Sequence, residues 1–161
     1  MNAIRIAILT VSDKGSRGER TDTSGPAIKE LLGPLGAEVV AAEMVPDDRK
    51  AIAARLRHYC DKLDCDLVLT TGGTGLGPRD VTPEATLDVM DRPAPGIPEA
   101  MRAGSLAKTP MAMLSRAAAG VRGRTLIVNL PGSERAVREC LAIVLPVLPH
   151  AAEMLRGDEA H

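Results

Sequence analysis

The segment that decides the fold is residues 67–84, Leu67-Val-Leu-Thr-Thr-Gly-Gly-Thr-Gly-Leu-Gly-Pro-Arg-Asp-Val-Thr-Pro-Glu84. It begins as a short apolar run typical of a buried strand, continues as a glycine-rich loop and ends at a helix start. Glycines let the backbone come close to a ligand, and free amide groups beside a helix N-terminus bind anions. Asp80 adds a carboxylate suited to a metal ion. The segment therefore predicts a nucleotide-phosphate site with a divalent cation.

Apolar runs and amphipathic stretches alternate on both sides of this segment. They predict strands at 4–11, 37–45, 66–70 and 125–130 and helices at about 24–35, 48–63, 82–90 and 99–107, with a further helix after Ser133. Such alternation predicts an α/β fold, a three-layer α/β/α arrangement around a mostly parallel central sheet. We expect residues 1–161 to form one domain. Within the ambiguous segment 110–123, a short strand at Met113–Arg116 is one interpretation.

Unusual polar residues follow four of the predicted strands. Ser12-Asp13 follows the first, Asp47-Asp48 the second, Thr71-Gly-Gly-Thr-Gly75 the third and Pro131-Gly-Ser133 the last. Because ligands of open parallel sheets bind beyond the carboxyl ends of the strands, these clusters are expected to converge at one edge.

Four acids in these loops are possible ligands of Mg²⁺, which takes one or two carboxylates together with substrate phosphates. They are Asp13, Asp47, Asp48 and Asp80. One of the Asp47–Asp48 pair is expected to cap the following helix, which leaves the other for function, and Asp47 points back toward the loop.

Several hydroxyl groups in the loops could serve phosphates or cap helices. Thr71 and Thr74 are candidate phosphate donors, whereas Thr82 before Pro83 is expected to cap a helix. Ser133, at a helix start after Pro-Gly, could bind an anion or only cap the helix. Arg79, within the glycine-rich loop, could bind a ligand or be solvated.

Composition excludes several other functions. The net charge is −1 and the chain has no Trp or Phe and one Tyr, so neither a basic field nor aromatic stacking supports nucleic-acid binding. No signal sequence or membrane-spanning run is evident, and an odd number of cysteines suits reduced thiols, so we expect a cytoplasmic protein without membrane attachment. The histidines lie away from strand ends, and the loop matches neither the P-loop nor the dinucleotide fingerprint.

Taken together, Thr70-Thr-Gly-Gly-Thr-Gly75, Pro78-Arg-Asp-Val-Thr-Pro-Glu84 and Asn129-Leu-Pro-Gly-Ser133 resemble the molybdopterin adenylyltransferases, a family that includes the G-domain of gephyrin. The resemblance covers essentially the whole chain. It extends to Leu9–Asp13, Asp22–Pro26, Val45–Asp47, Met113–Arg116 and Leu145–His150.

The resemblance implies a nucleotidyltransferase, usually a homotrimer, that uses Mg²⁺ to transfer AMP from ATP to the terminal phosphate of molybdopterin. The adenylylated pterin would then pass to a molybdenum-inserting partner. By position, Asp47 and Asp80 match the two key acids, which we expect to be catalytic and to bind the metal. The expected binding residues are Ser12, Asp13, Thr71, Gly72, Gly73, Thr74, Gly75 and Thr82, with Ser115, Pro131, Gly132 and Ser133 receiving the pterin or its phosphate.

Two other functions fit the same sequence. A non-catalytic carrier or scaffold would bind molybdopterin without releasing pyrophosphate, although a carrier has no need of the acid pair. A hydrolase of nucleotide-like phosphates would act without pterin.

Overall fold

A six-stranded mixed sheet forms the centre of the protein. The computed structural model describes residues 3–157. Its strands are β1 (Arg5–Val11), β2 (Glu38–Val45), β3 (Leu67–Thr71), β4 (Arg92–Pro93), β5 (Ala119–Arg122) and β6 (Thr125–Leu130). The order across the sheet is β2-β1-β3-β6-β5-β4. Strands β2, β1, β3 and β6 are parallel, whereas β5 runs antiparallel to β6 and β4 antiparallel to β5.

Helices connect the strands and cover the sheet. They are α1 (Asp13–Ser16), α2 (Ser24–Leu32), α3 (Arg49–Asp61), α4 (Thr82–Val89), α5 (Gly96–Leu106), α6 (Glu134–Val144) and α7 (Leu148–Arg156). Short 3₁₀ segments occupy Gly33–Leu35, Pro110–Leu114 and Leu145–Val147. No helix within residues 3–157 has the length and apolar character needed to cross a membrane.

Side-chain alternation along the strands creates one apolar core on each face of the sheet. Ile6 and Ile8 of β1 belong to the cluster that includes residues of α2, α5, α6 and α7, whereas Leu9 and Val11 belong to the cluster that includes residues of α3 and α4. Successive side chains of a strand point to opposite faces, so both faces need a helical layer. The predicted three-layer α/β/α architecture is confirmed.

The parallel register brings the ends of four strands to one edge. Thr10 of β1 pairs with Met44 of β2 and with Thr71 of β3, and Thr71 in turn pairs with Leu130 of β6. The loops that follow these strands are therefore neighbours, as the sequence predicted.

The structure corrects the interpretation of Met113–Arg116 as a short strand. Residues Pro110–Leu114 form a 3₁₀ segment whose start is capped by Thr109, since its hydroxyl accepts a hydrogen bond from the Met111 amide. The local sequence had suggested a strand through its apolar character alone, but Pro110 fits the first turn of a helical segment. The strand of this region is β5, a few residues later.

The Pro-rich stretch 92–98, between the helices predicted at 82–90 and 99–107, contains a short strand and the start of a helix. Arg92–Pro93 pairs with β5, and α5 begins at Gly96 rather than Glu99. A two-residue edge strand that contains proline has no alternation to reveal it, and proline is tolerated there because an edge strand leaves some amides unpaired.

Candidate functional site

The loops after β1 and β2 are joined through two aspartates. The Asp13 amide donates to Asp47 Oδ2 at 2.9 Å, and the Asp47 amide donates to Asp13 Oδ1 at 2.9 Å. Each carboxylate thus fixes the backbone of the other loop. This exchange orients Asp47 with its second oxygen, Oδ1, turned toward the glycine-rich loop.

Asp48, not Asp47, caps α3. Its backbone is extended, and its carboxylate accepts a hydrogen bond from the Ala51 amide at 2.8 Å. The prediction that one acid of the pair caps the helix and leaves Asp47 for the loop is confirmed. Burial raises the pKa of Asp47, and the negative charges of Asp13 and Asp80 raise it further. A nearby cation would relieve this destabilisation of the carboxylate.

The glycine-rich loop requires glycine at its first two positions. Gly72 and Gly73 have φ of 100° and 71°, in the left-handed region. A Cβ on Gly72 would lie 2.3 Å from Val11 O, and one on Gly73 would lie 2.2 Å from Thr82 Oγ1 and 3.2 Å from Asp47 Oδ1. Asp47 therefore lies directly against the loop, where a side chain on Gly73 would displace it.

Thr82 supports the loop from the helix side. Its hydroxyl donates to Gly72 O at 2.9 Å and its amide to Gly73 O at 3.1 Å. The prediction that Thr82 caps α4 by its side chain is wrong, because Val81 precedes the helix and the Thr82 hydroxyl is directed to the loop. Thr82 is completely buried.

Asp80 contacts the same loop further along the chain. Asp80 Oδ2 accepts a hydrogen bond from the Gly77 amide at 2.9 Å, and it would lie 2.9 Å from a Cβ on Gly75. The amides of Gly73, Gly75 and Leu76 donate to no acceptor within residues 3–157. Unpaired amides in a loop of this kind provide fixed dipoles for an anion. The predicted acids Asp47 and Asp80 thus both lie against the glycine-rich loop, Asp47 at Gly73 and Asp80 at Gly75 and Gly77.

Arg79 reaches from this loop to Asp13. Its Nε and Nη2 donate to the two carboxylate oxygens of Asp13, each at 3.0 Å. The hydrogen bonds from Arg79 hold the pKa of Asp13 below its ordinary value, and the Asp47 amide adds to the effect. One exposed guanidinium therefore balances part of the negative charge at this edge.

The turn after β6 lies beside the glycine-rich loop. The Thr71 hydroxyl donates to Pro131 O at 2.6 Å, the Gly72 amide to Leu130 O at 3.2 Å and the Ser24 hydroxyl to Gly132 O at 2.7 Å. Ser133 caps α6, since its Oγ accepts a hydrogen bond from the Ala136 amide. Ser12 likewise caps α1 through the Gly15 amide.

Two cavities border residues 131–133. A cavity of about 230 Å³ is lined by four predicted binding residues, Ser12, Thr71, Gly132 and Ser133, together with Arg20 and Asp22. A second cavity, of about 190 Å³ and almost wholly apolar, is lined by two more, Ser115 and Pro131, with Met101 and Cys140 among its walls. The remaining predicted residues belong to the glycine-rich loop or contact it and its acids. Gly72, Gly73, Thr74 and Gly75 form the loop, Thr82 contacts it, and Asp13 pairs with Asp47.

Arg116 is the residue of this region that the sequence analysis did not select. Its amide donates to Thr74 O at 2.8 Å, Nε to Gly75 O at 2.7 Å and Nη2 to Asp80 O at 2.7 Å. Nη1 donates to Glu84 at 2.6 Å. The only signal in the sequence was its place in the segment Met113–Arg116 that carries the family resemblance.

The residues present fit a divalent cation held jointly with phosphates. Within residues 3–157, no group of three or more His, Cys, Asp or Glu side chains is arranged to hold a metal ion. One oxygen of Asp47 and one of Asp80 nevertheless accept no hydrogen bond from these residues, because only the Oδ2 atoms are engaged. Two carboxylate oxygens with further ligands from phosphates and water are the set that Mg²⁺ prefers.

Fold and site together define an α/β protein whose glycine-rich loop and acids lie at the carboxyl edge of a parallel sheet, the edge at which ligands of such folds bind. The family model described as a probable molybdopterin binding domain matches residues 7–150. The chain belongs to this molybdopterin-binding family.

Named relatives cover nearly the same length. Molybdopterin adenylyltransferase of Helicobacter pylori J99 is 45% identical over 163 residues, which span 98% of this chain and 91% of the relative. Its counterpart in Escherichia coli K12 is 43% identical over 88% of this chain and 73% of the relative. The crystal structure of the molybdopterin biosynthesis enzyme MoaB from Thermus thermophilus superposes with a TM-score of 0.90 at 57% identity, over 96% of this chain and 98% of that one.

Proposed function

We propose that this protein is a molybdopterin adenylyltransferase, which transfers AMP from ATP to the terminal phosphate of molybdopterin and releases pyrophosphate. The observation that carries the proposal is the arrangement around the glycine-rich loop, where Asp47 and Asp80 flank unpaired amides. The relatives named for this activity support the same assignment.

The two cavities suggest where each substrate lies. We assign the pterin ring to the apolar cavity between Ser115 and Pro131, and its phosphate to the turn at Gly132 and Ser133, where α6 begins. We assign the triphosphate of ATP to loop 73–76 and the adjoining polar cavity. Thr71 and the Pro131 carbonyl hold the turn and the loop together, so the two phosphates would meet between them.

The proposed reaction needs little proton transfer by the protein. The pterin phosphate is already an anion and attacks the α-phosphorus of ATP directly, so the side chains act by positioning and by balancing charge. Loop amides would bind phosphate oxygens, and Arg79 would offset the charge of Asp13. Mg²⁺ bound by Asp47 and Asp80 would supply charge neutralisation for the departing pyrophosphate.

We also propose that the chain acts as a single cytoplasmic domain in a homotrimer and hands its product to a molybdenum-inserting protein. Exposed apolar side chains such as Met111, Met113 and Val147 are the kind that contacts between subunits cover. Light scattering tests the trimer, which would have three times the 16.9 kDa mass of the chain.

A pyrophosphate-release assay tests the activity. The protein is mixed with ATP and Mg²⁺, with and without molybdopterin. We expect release only when the pterin is present. Tight pterin binding without release would show a carrier, and release without pterin would show a hydrolase, and either result contradicts the proposal.

A further inference from the structure

We propose that Arg116 is a positioning residue that couples the pterin cavity to the nucleotide loop, so that each substrate strengthens the binding of the other. This inference rests on the proposed function. It concerns a side chain to which we assign no contact with either substrate, but which contacts carbonyl groups of the loop assigned to the triphosphate and of Asp80.

Arg116 holds the outer side of the glycine-rich loop at several points. Its amide and its guanidinium together contact the carbonyls of Thr74, Gly75 and Asp80, and the guanidinium also pairs with Glu84. These partners lie 32 to 42 residues away in sequence, so no local turn could replace the contacts.

The direction of these carbonyls fixes the direction of the loop amides. In a trans peptide the carbonyl of one residue and the amide of the next point in opposite directions. Because the Thr74 and Gly75 carbonyls face Arg116, the Gly75 and Leu76 amides face away from it. These amides donate to no acceptor within the described chain and are assigned to the triphosphate. Arg116 therefore sets the orientation of the loop amides proposed to bind the anion. Its contact with the Asp80 carbonyl also fixes the backbone of a proposed metal ligand.

The pterin cavity is linked to Arg116 through the adjacent residue, Ser115. Ser115 lines the apolar cavity, and the carbonyls of Ser115 and Ala117 accept hydrogen bonds from Arg102 of α5 at 3.3 and 3.1 Å. Residues 115–117 thus form a wall between the cavity and the loop, held from one side by Arg102. A ligand that fixes this wall also fixes the position from which Arg116 holds the loop. By linkage, the coupling must act equally in both directions.

The test measures binding of α,β-methylene ATP with Mg²⁺ by calorimetry, in the presence and absence of molybdopterin. In the wild type we expect pterin to tighten nucleotide binding by about fivefold or more. Arg116→Lys keeps the charge but cannot offer a planar fork to several acceptors, so we expect the ratio to fall to about one. Arg122→Lys is the matched control, because Arg122 also combines a two-point ion pair, with Asp61, and a carbonyl contact, with Val89, away from this loop.

The outcomes separate this inference from the proposed function. If the wild type binds both ligands without coupling, or if Arg116→Lys keeps the wild-type ratio, the inference fails while the adenylyltransferase assignment stands. If the wild type binds neither ligand, the proposed function fails and the inference with it. Should Arg116→Lys not fold, as judged by thermal unfolding, Glu84→Gln weakens the same ion pair, and a reduced ratio would support the coupling, whereas an unchanged ratio would overturn it.

Discussion

Asp13 and Asp47 exchange backbone-to-carboxylate hydrogen bonds, so that each acid sets the position of the other. The exchange joins the loops after β1 and β2 and leaves Asp47 Oδ1 against Gly73. Asp13 is therefore a support for the proposed metal ligand as well as the partner of Arg79.

Removal of the Asp13 carboxylate should lower the apparent affinity for Mg²⁺ more than it lowers the stability of the fold. In Asp13→Ala the Asp47 amide loses its acceptor, so the position of Asp47 depends on the one remaining hydrogen bond, from the residue-13 amide to Asp47 Oδ2. We expect the Mg²⁺ concentration for half-maximal pyrophosphate release to rise by about tenfold, as for other groups that orient metal ligands. A magnesium titration of the initial rate measures this. An unchanged midpoint would show that Asp47 does not depend on Asp13.

Loss of charge at either proposed metal ligand should slow the chemical step. We expect Asp47→Asn and Asp80→Asn each to lower kcat by about 10² or more, the order seen when one strong electrostatic group is lost. Asp88→Asn is the control, because Asp88 pairs with Arg49 on the exposed side of α4 and should leave kcat unchanged. Full activity of Asp80→Asn at saturating Mg²⁺ would refute its role.

The tight contact at Gly73 predicts a specific effect of a single methyl group. Gly73 and Gly18 have similar φ, 71° and 75°, but only a Cβ on Gly73 meets neighbouring atoms, whereas one on Gly18 meets nothing within 4 Å. Gly18→Ala should cost only the left-handed backbone strain, about 1 kcal/mol of unfolding free energy. Gly73→Ala should in addition lower kcat by about 10², since it displaces the loop. Urea unfolding and the pyrophosphate assay together distinguish the two, and equal kcat values would contradict the contact.

A buried ion pair at the opposite edge of the sheet predicts how stability depends on pH. Burial alone would raise the pKa of Asp66, but hydrogen bonds from Arg156 and the Arg5 amide, with both arginine charges, lower it below its ordinary value. The ionised form is thus favoured in the folded state. Its stabilisation is complete above the unfolded pKa and is lost as pH falls through the lower folded pKa.

We therefore expect Asp66→Asn to reduce the unfolding free energy by about 3 kcal/mol at pH 7, because the buried group that accepts from Arg156 and the Arg5 amide loses its charge. The difference from wild type should shrink as pH falls below the ordinary range of an aspartate. Asp61→Asn breaks the more exposed pair with Arg122 and should cost less than about 1 kcal/mol. Denaturant unfolding between pH 7 and pH 3 measures both, and a pH-independent deficit in Asp66→Asn would contradict the assignment.

The sequence predicted the elements whose signals are local. Buried strands, the glycine-rich loop and the Asp48 cap depend on neighbouring residues, and the parallel arrangement brought their ends together without further information. Arg116 could not be identified in this way, because Gly75 and Glu84, which it contacts, are far along the chain. The same holds for the apolar cavity, whose walls come from α5, α6 and the 3₁₀ segment after residue 109. The prediction that Thr82 caps α4 was wrong because Thr before Pro is a frequent helix start, whereas the Thr82 hydroxyl donates to the Gly72 carbonyl.

The measurement that tests this account most directly is a crystal structure with α,β-methylene ATP and Mn²⁺, using the anomalous signal of manganese to locate the ion. We predict a single strong peak bound by Asp47 and Asp80, with the triphosphate against the Gly73–Leu76 amides. A nucleotide bound elsewhere, or a manganese ion that contacts neither aspartate, would contradict it.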